Sequence, residues 1–232
     1  MKVAVVTGSN KGIGLALVEK LAEFYKATGG WHVFLTARDE QRGHRACEQL
    51  HLKGLPVKFH QLDICDDRSR KRFLGFLTSE YAGGINVLVN NAGILYKDQS
   101  SAKFAENAHV TIGTNFTSTL DFTLECLPVL ADDARHADTG DYEQHGWHNM
   151  TYGLSKLALT KATFILGDML KNDPRRILIN ACCPGYVNTD MTDHKGADTP
   201  FFLATLPVGT TEPNAQFVHD RKIHRWLEKS EC

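Results

Sequence analysis

The stretch Met1–Gly14, which reads MKVAVVTGSNKGIG, decides the fold of this chain. Its first six residues form an apolar run typical of a strand, and the glycine-rich turn Thr7–Gly14 leads directly into a helical pattern. Glycines allow a tight turn and a close approach to a ligand, while free N–H groups and the helix dipole favour an anion. Because the stretch opens an alternating strand and helix pattern, we predict a nucleotide site here.

The spacing of these glycines, Gly8-x3-Gly12-x-Gly14, differs from the G-x-G-x-x-G fingerprint of dinucleotide-binding domains. An ordinary strand-to-helix turn is therefore the alternative interpretation of the loop taken alone.

Length and composition suit one α/β domain over residues 1–232, because the chain is 42% hydrophobic and long enough for a large core. The apolar start is too short for a signal peptide, and no apolar run approaches bilayer length, so we expect a soluble protein without a membrane. A net charge of -1 argues against a nucleic-acid partner. Six cysteines without C-x-x-C or zinc spacing predict reduced thiols, a cytoplasmic protein and no metal site.

Apolar strands alternate with helical stretches along most of the chain, which predicts right-handed crossovers and a parallel sheet. After the first strand, we predict strands at His32–Thr36, Val57–Leu62, Asn86–Val89, Ile177–Ala181 and Gln216–Val218. The predicted helices are Ile13–Tyr25, Glu40–Leu52, Arg68–Tyr81, Val110–Leu130 and Tyr152–Leu170. The fold class is thus α/β, a Rossmann-type doubly wound sheet.

Cations gather near the end of the second predicted strand. Arg38 follows it, Arg42 comes four residues later, and Lys11 lies inside the glycine loop. An NAD enzyme usually places an acid here for the ribose 2′-hydroxyl, whereas arginine suits a 2′-phosphate, so we predict NADPH. The alternative is a solvated helix start. Asp63, at the tip of the third strand, is a candidate for the adenine amino group or for a helix cap.

Two further patterns carry chemistry. Asn90-Asn-Ala-Gly93 ends the fourth strand at the edge where open α/β sheets bind ligands, although Asn and Gly also favour plain turns. Tyr152 and Lys156 share one helix face at i and i+4. A free tyrosine has a pKa near 10, and a nearby ammonium favours the phenolate, which makes Tyr152 a usable general acid or base. One Y-x-x-x-K is weak evidence, but its order after the two other motifs makes it specific.

Together these motifs resemble the short-chain dehydrogenase/reductase family, and within it the cytosolic NADPH-dependent carbonyl reductases. The resemblance is spread over most of the chain. The matching segments are Thr7–Gly14, Thr36–Asp39 with Arg42, His60–Ile64, Val87–Ile94, Thr114–Phe116, Tyr152–Lys156 and Asn180–Met191.

The resemblance implies roles for individual residues. Tyr152 would protonate the carbonyl oxygen, Lys156 would hold the nicotinamide ribose and lower the Tyr152 pKa, and Asn115 would position a water in a proton relay. The alternative for Asn115 is a bond to its own helix backbone. Ile94 and Tyr186 would border a partly apolar substrate pocket, to which Leu95 would add. The implied cofactor-binding residues are Gly8, Asn10, Lys11, Gly12, Ile13, Gly14, Arg38, Arg42, Asp63, Ile64, Asn90, Ala92, Gly93, Tyr152, Lys156, Pro184, Gly185, Val187 and Thr189. A small-molecule carbonyl partner and a monomer are also implied.

The pattern breaks at residues 131–148, which are polar and have no β-branched run. The family requires a central strand here that ends in a serine bonding the substrate carbonyl, and we expect that strand and serine to be missing. Thr139 is a poor substitute, because no apolar strand precedes it. Three interpretations remain open: an active carbonyl reductase, a shortened variant that binds NADPH but catalyses weakly or not at all, and a non-productive isoform.

Overall fold

The computed structural model describes residues 1–95, 104–139, 150–184 and 194–225. Within them, eight strands form one sheet: β1 Lys2–Val6, β2 Trp31–Ala37, β3 Val57–Gln61, β4 Ile85–Asn90, β5 Leu130–Thr139, β6 Leu178–Cys182, β7 Phe217–His219 and β8 Lys222–His224. The strand order is β3-β2-β1-β4-β5-β6-β7-β8. The first seven strands are parallel and β8 is antiparallel to β7. The predicted parallel α/β architecture is therefore confirmed.

Helices cover both faces of this sheet. They are α1 Gly12–Thr28, α2 Glu40–Leu52, α3 Asp67–Glu80, α4 Phe104–Ile112, α5 Thr119–Cys126, α6 Met150–Met169 and α7 Asp198–Ala204. One buried cluster packs side chains of α1, α2 and α7 on the sheet, and a second does the same for α3, α5 and α6. Burial of apolar surface on both faces is what a parallel sheet of this kind requires.

The prediction that a central strand is missing is wrong. The ten-residue strand β5 covers Leu130–Thr139 and pairs in parallel with β4 on one side and β6 on the other. Several of its buried residues are polar, and their side chains have hydrogen-bond partners inside the protein. The Asp138 carboxylate accepts hydrogen bonds from Asn90 and Thr163, and the Arg135 guanidinium donates to the Pro207 carbonyl 2.7 Å away. Hydrogen bonding thus replaces apolar periodicity in this strand.

Strand β5 and its neighbour β4 bury polar atoms that have no hydrogen-bond partner among the described residues. Burial lowers the pKa of the Arg135 guanidinium, and its Nε has no hydrogen-bond partner among the described atoms. Asn90 Oδ1 and His136 Nδ1 are also buried without a described partner. Unpaired buried polar atoms cost about 1–3 kcal/mol each, so we expect β5 to limit stability.

The predicted helix Val110–Leu130 is divided in the structure. After α4, residues Gly113–Ser118 form a π-helical turn, α5 follows, and Leu127–Val129 form a 3-10 turn that leads into β5. Helix α7 and strand β8 were not predicted, because both are too short to show a period. Among the described helices, none combines the length and apolar character needed to cross a bilayer.

Candidate active site

The glycine loop lies against the segment that follows β4. Gly8 has a φ of +60°, and a Cβ on it would come within 2.7 Å of the Ala92 Cα. A Cβ on Gly14 would come within 2.3 Å of the Asn91 Nδ2 and 2.8 Å of the Ser9 Cα. Both positions therefore need glycine for close backbone approach.

Thr7 and Asn91 tie the two loops together. The Thr7 hydroxyl accepts hydrogen bonds from the backbone N–H groups of Asn91 and Ala92, each at 3.0 Å. The Asn91 amide donates to the carbonyl oxygens of Thr7 and Gly8 at 2.9 and 3.1 Å. These four hydrogen bonds join the loop after β1 to the loop after β4 at the carboxyl edge of the sheet.

The first turn of α1 presents an anion-binding arrangement. In this described stretch, the extended residue Lys11 precedes the helix, its side chain makes no capping hydrogen bond, and the first turn carries no acidic residue. Lys11 and Gly12 are exposed, whereas Gly14 is buried and Asn10 and Ile13 are half-buried. Unpaired N–H groups at a helix start together with the dipole favour a phosphate.

Arg38 and Arg42 are exposed at the end of β2 and the start of α2. An acid does stand beside them: Asp39 caps α2, where its carboxylate accepts from the Arg42 N–H at 2.9 Å and lies 3.5 Å from the Arg42 Nε. This carboxylate caps its own helix and pairs with Arg42, so it offsets part of the positive charge of Arg38 and Arg42 at the strand tip.

At the tip of β3, Asp63 and Ile64 differ in placement. The Asp63 carboxylate accepts from the Cys65 N–H at 2.9 Å, while Asp66 is the cap of α3. The side chain of Ile64 belongs to the buried cluster under α3, and its carbonyl accepts a hydrogen bond from the Arg70 guanidinium at 2.8 Å. The cap of α3 is therefore Asp66 and not Asp63.

Asn90 lies at the end of β4 with its side chain inside the protein. Its amide Nδ2 lies 2.7 Å from the Thr123 hydroxyl, 2.9 Å from the His136 Nε2 and 2.9 Å from the Asp138 carboxylate. The amide thus joins β4 to β5 and α5. Its backbone carbonyl accepts from the Thr139 hydroxyl at 3.2 Å.

Asn115 is fully buried in the π-helical turn between α4 and α5. Its Oδ1 accepts from the Ile94 N–H at 2.8 Å, and its Nδ2 donates to the Ile94 carbonyl at 2.9 Å and to the Ser155 hydroxyl at 3.2 Å. The side chain therefore bonds the loop after β4 and helix α6, not the backbone of its own helix.

Tyr152 and Lys156 lie one turn apart on α6, and the Lys156 Nζ is 5.9 Å from the centre of the Tyr152 ring. Lys156 is 4% exposed, and its ammonium donates to the Thr139 carbonyl at 2.8 Å. A Cβ on Gly93 would lie 3.4 Å from this ammonium and 3.2 Å from the Asn115 Oδ1. The structure thus brings Gly93, Asn115, Tyr152 and Lys156 to one place at the carboxyl edge of β4 and β5.

The end of β6 forms the next wall of this region. Cys182 is the register partner of Thr139, and burial, helped by Cys183 and Asp138, raises the pKa of its thiol well above the usual range. Pro184 is buried directly after this strand. Gly185, Tyr186, Val187 and Thr189 lie outside the described residues.

Comparison with known proteins decides the family. The sequence matches the short chain dehydrogenase family over residues 2–200, which is most of the chain. This chain belongs to the short chain dehydrogenase family. Among curated relatives of this family, carbonyl reductase (NADPH) 1 of Rattus norvegicus is 38% identical over 276 aligned residues, covering 97% of this chain and 98% of the relative. Carbonyl reductase (NADPH) 3 of Homo sapiens is 38% identical over 277, with the same coverage.

These alignments also reveal a shortened interior in this short chain dehydrogenase. An alignment of 276 positions exceeds the 232 residues of the chain, so at least 44 positions, the difference between the two lengths, face gaps within it. Solved structures agree on the fold. Menthone neomenthol reductase from Mentha piperita superimposes with a TM-score of 0.76 at 25% identity, covering 94% of this chain and 98% of that one. Salutaridine reductase from Papaver somniferum gives 0.78 at 23% identity, with coverage of 95% and 100%.

Two polar residues of the site, Thr7 and Ser155, could not be assigned their contacts from the sequence. Thr7 begins the glycine loop, and Ser155 lies within the Tyr152–Lys156 segment. Their partners Asn91 and Asn115 lie 84 and 40 residues away in sequence, so no local pattern reports these contacts. The sequence offers one indication of such contacts, which is a polar residue among apolar neighbours.

Proposed function

We propose that this chain reduces carbonyl compounds (aldehydes, ketones and quinones) to alcohols with NADPH, and that Tyr152 is the proton donor. The observation that carries the proposal is the Tyr152–Lys156 pair, with the Lys156 ammonium held by the Thr139 carbonyl at the carboxyl edge of the sheet. The names of the carbonyl reductase relatives, at 38% identity over nearly the whole chain, support the substrate class and the cofactor.

The described residues fit an NADPH molecule. The uncapped start of α1 and the close packing of Gly8 and Gly14 leave backbone N–H groups for a pyrophosphate. Lys11, Arg38 and Arg42 are exposed cations suited to a 2′-phosphate. Asp63 follows β3, and Ala92 and Gly93 follow β4, so these residues lie along the same carboxyl edge of the sheet.

In this proposal, bound NADPH supplies the hydride to the carbonyl carbon. Tyr152 donates its phenolic proton to the carbonyl oxygen, which becomes the alcohol. The Lys156 ammonium stabilises the phenolate that remains, since an adjacent positive charge favours the charged form of tyrosine. Asn115 holds the backbone of Ile94, which borders the carbonyl substrate. One domain over residues 1–232, a monomer and a cytoplasmic location complete the proposal.

The test is steady-state oxidation of NADPH by an aldehyde, a ketone and a quinone. General acid catalysis contributes typically 10²–10⁴-fold, so Tyr152→Phe should lower kcat on about that scale while NADPH still binds. Tyr81→Phe is the control, because Tyr81 also has a bonded hydroxyl, to the His32 ring 2.7 Å away, but lies at the end of α3. Equal rates for Tyr152→Phe and the parent would remove Tyr152 from the mechanism.

A second candidate, a protein that binds NADPH and catalyses weakly or not at all, has its own supporting observation. Thr139 ends β5, where the family serine is expected, but it is 6% exposed and its hydroxyl donates to the Asn90 carbonyl at 3.2 Å. In this arrangement the single proton of the Thr139 hydroxyl points to the backbone and is not offered to a substrate carbonyl. Loss of one such donor costs typically 10²–10³ in turnover.

A further inference from the structure

Ser155 is the candidate for a residue that acts through others. It is 1% exposed on α6, between Tyr152 and Lys156, and its hydroxyl has partners on both sides. The hydroxyl donates to the Tyr152 carbonyl at 2.7 Å and accepts from the Asn115 Nδ2 at 3.2 Å. Its single proton and one lone pair are therefore both used.

Asn115 continues this chain of bonds to the opposite side of the site. Its second Nδ2 proton goes to the Ile94 carbonyl, and its Oδ1 accepts from the Ile94 N–H. All the donors of the amide are satisfied, and no alternative acceptor is described for the proton that Ser155 accepts. Removing the Ser155 hydroxyl would leave a buried N–H of the Asn115 amide unpaired, which is unfavourable unless the amide or its neighbours move.

We propose that Ser155 is a positioning residue that fixes the Tyr152 turn of α6 to the Ile94 backbone through the Asn115 amide. The inference rests on the proposed function, in which Tyr152 gives the proton and Ile94 borders the substrate. The bonded path runs from the Tyr152 carbonyl to the Ser155 hydroxyl, the Asn115 amide and the Ile94 peptide. This path fixes the position of Tyr152, the proton donor, relative to Ile94, which borders the substrate. A displacement of about 1 Å between such groups can lower the rate up to 10²-fold.

The variant Ser155→Ala removes the link and leaves Tyr152, Lys156 and Asn115 in the sequence. Thr163→Ala is the matched control: Thr163 also has a buried hydroxyl on α6, which donates to the Asp138 carboxylate at 2.6 Å and lies 2.9 Å from the Leu159 carbonyl, and none of its described hydrogen bonds involves Asn115. Both variants lose a buried hydroxyl, so a general loss of stability should lower the thermal midpoint of both.

The decisive measurement is amide hydrogen exchange at Ile94, which needs no turnover. We expect Ser155→Ala to speed this exchange at least tenfold, because the Asn115 amide that accepts from the Ile94 N–H loses its hydrogen bond to α6, and Thr163→Ala to leave it unchanged relative to the neighbouring amides. Unchanged exchange at Ile94 in Ser155→Ala would overturn the inference.

Steady-state kinetics of the same variants give the second readout. Ser155→Ala should lower kcat about ten- to a hundredfold and raise the KM of the carbonyl substrate, while the KM of NADPH stays within about threefold. Equal losses in both KM values, or equal kcat losses in Thr163→Ala, would indicate a merely structural role and contradict the inference. If the parent itself oxidises no NADPH, the proposed function fails, whereas the exchange result at Ile94 still decides the role of Ser155.

Discussion

Tyr152 and Lys156 could be placed together from the sequence because helix geometry alone brings positions i and i+4 to one face. The hydrogen-bond partners of Lys156 and Asn115 could not be predicted from the sequence. The carbonyl that holds Lys156 belongs to Thr139, 17 residues earlier on another element, and Asn115 bonds Ile94, 21 residues away. Asn90 was expected to line the cofactor, yet its side chain is engaged inside the protein with Thr123 and Asp138. Local spacing identifies such residues, but only the packed sheet decides which way they face.

In the proposed function, cofactor preference depends on single cations, and Arg38→Asp tests this. The parent should bind NADPH more tightly than NADH, and the variant should weaken NADPH binding at least about tenfold, since a charged hydrogen bond contributes about 1.5–3 kcal/mol. NADH binding should be kept or improved, because aspartate suits a free ribose hydroxyl. Titration of both cofactors by fluorescence measures this.

Arg72→Asp is the control for Arg38→Asp. It makes the same charge change at an exposed residue of α3, whose guanidinium donates to Gln61 at 3.2 Å. A parent that binds NADH as tightly as NADPH would contradict the assignment of Lys11, Arg38 and Arg42.

Among the elements, those with strong periodicity or clear punctuation were predicted closely. The helix Glu40–Leu52 has the predicted bounds, because Asp39 caps it and polar residues surround it. Strand β5 could not be predicted, because strand patterns rest on apolar alternation and its buried residues include Arg135, His136, Asp138 and Thr139. The π-helical turn was hidden for a different reason, since its residues fit a continuous helix pattern equally well.

The account of β5 predicts that Asp138→Ala is strongly destabilising. The variant would leave the Asn90 amide and the Thr163 hydroxyl without their carboxylate acceptor in the interior. We expect a loss of about 2–4 kcal/mol in the free energy of unfolding, measured by urea denaturation. Asp132→Ala is the control, because Asp132 is exposed on the same strand and should change stability by about 0.5 kcal/mol or less. Equal effects of the two variants would show that Asp138 is not buried in a central strand.

The last hairpin, β7 and β8, is joined to α7 by an ion pair. Arg221 donates to both Asp198 oxygens, at 2.5 and 2.7 Å, and this hydrogen bonding holds the pKa of Asp198 below its usual range. A depressed carboxylate pKa contributes stability above the unfolded pKa of about 4, and the contribution is lost as the pH falls through the folded pKa. Asp198→Asn should therefore lower the thermal midpoint at pH 7, and the difference should shrink below about pH 4.

Asp220→Asn is the control for this pair, because Asp220 is 80% exposed in the same hairpin. It should change the midpoint little at either pH. A deficit of Asp198→Asn that is as large in acid as at neutral pH would contradict the ion-pair explanation.

At the scale of the whole molecule, the shortened interior and the complete sheet have to be explained together. At least 44 aligned positions of the carbonyl reductase relatives have no counterpart here, yet β4 and β6 are not left unpaired. A polar segment supplies the strand between them, with its hydroxyl at Thr139 turned to the Asn90 carbonyl. The sheet is therefore complete, but the hydroxyl that would bind the substrate carbonyl, that of Thr139, faces the backbone.

Single-turnover hydride transfer is the sharpest test of whether Tyr152 donates the proton in carbonyl reduction by this chain. The protein, with an intact mass verified as 25.8 kDa, is saturated with NADPH, confirmed by fluorescence, and mixed with a quinone while NADPH absorbance is followed. We expect an exponential loss of NADPH that is at least about a hundredfold faster in the parent than in Tyr152→Phe. A parent that binds NADPH but transfers hydride no faster than Tyr152→Phe would contradict the claim and leave a cofactor-binding protein.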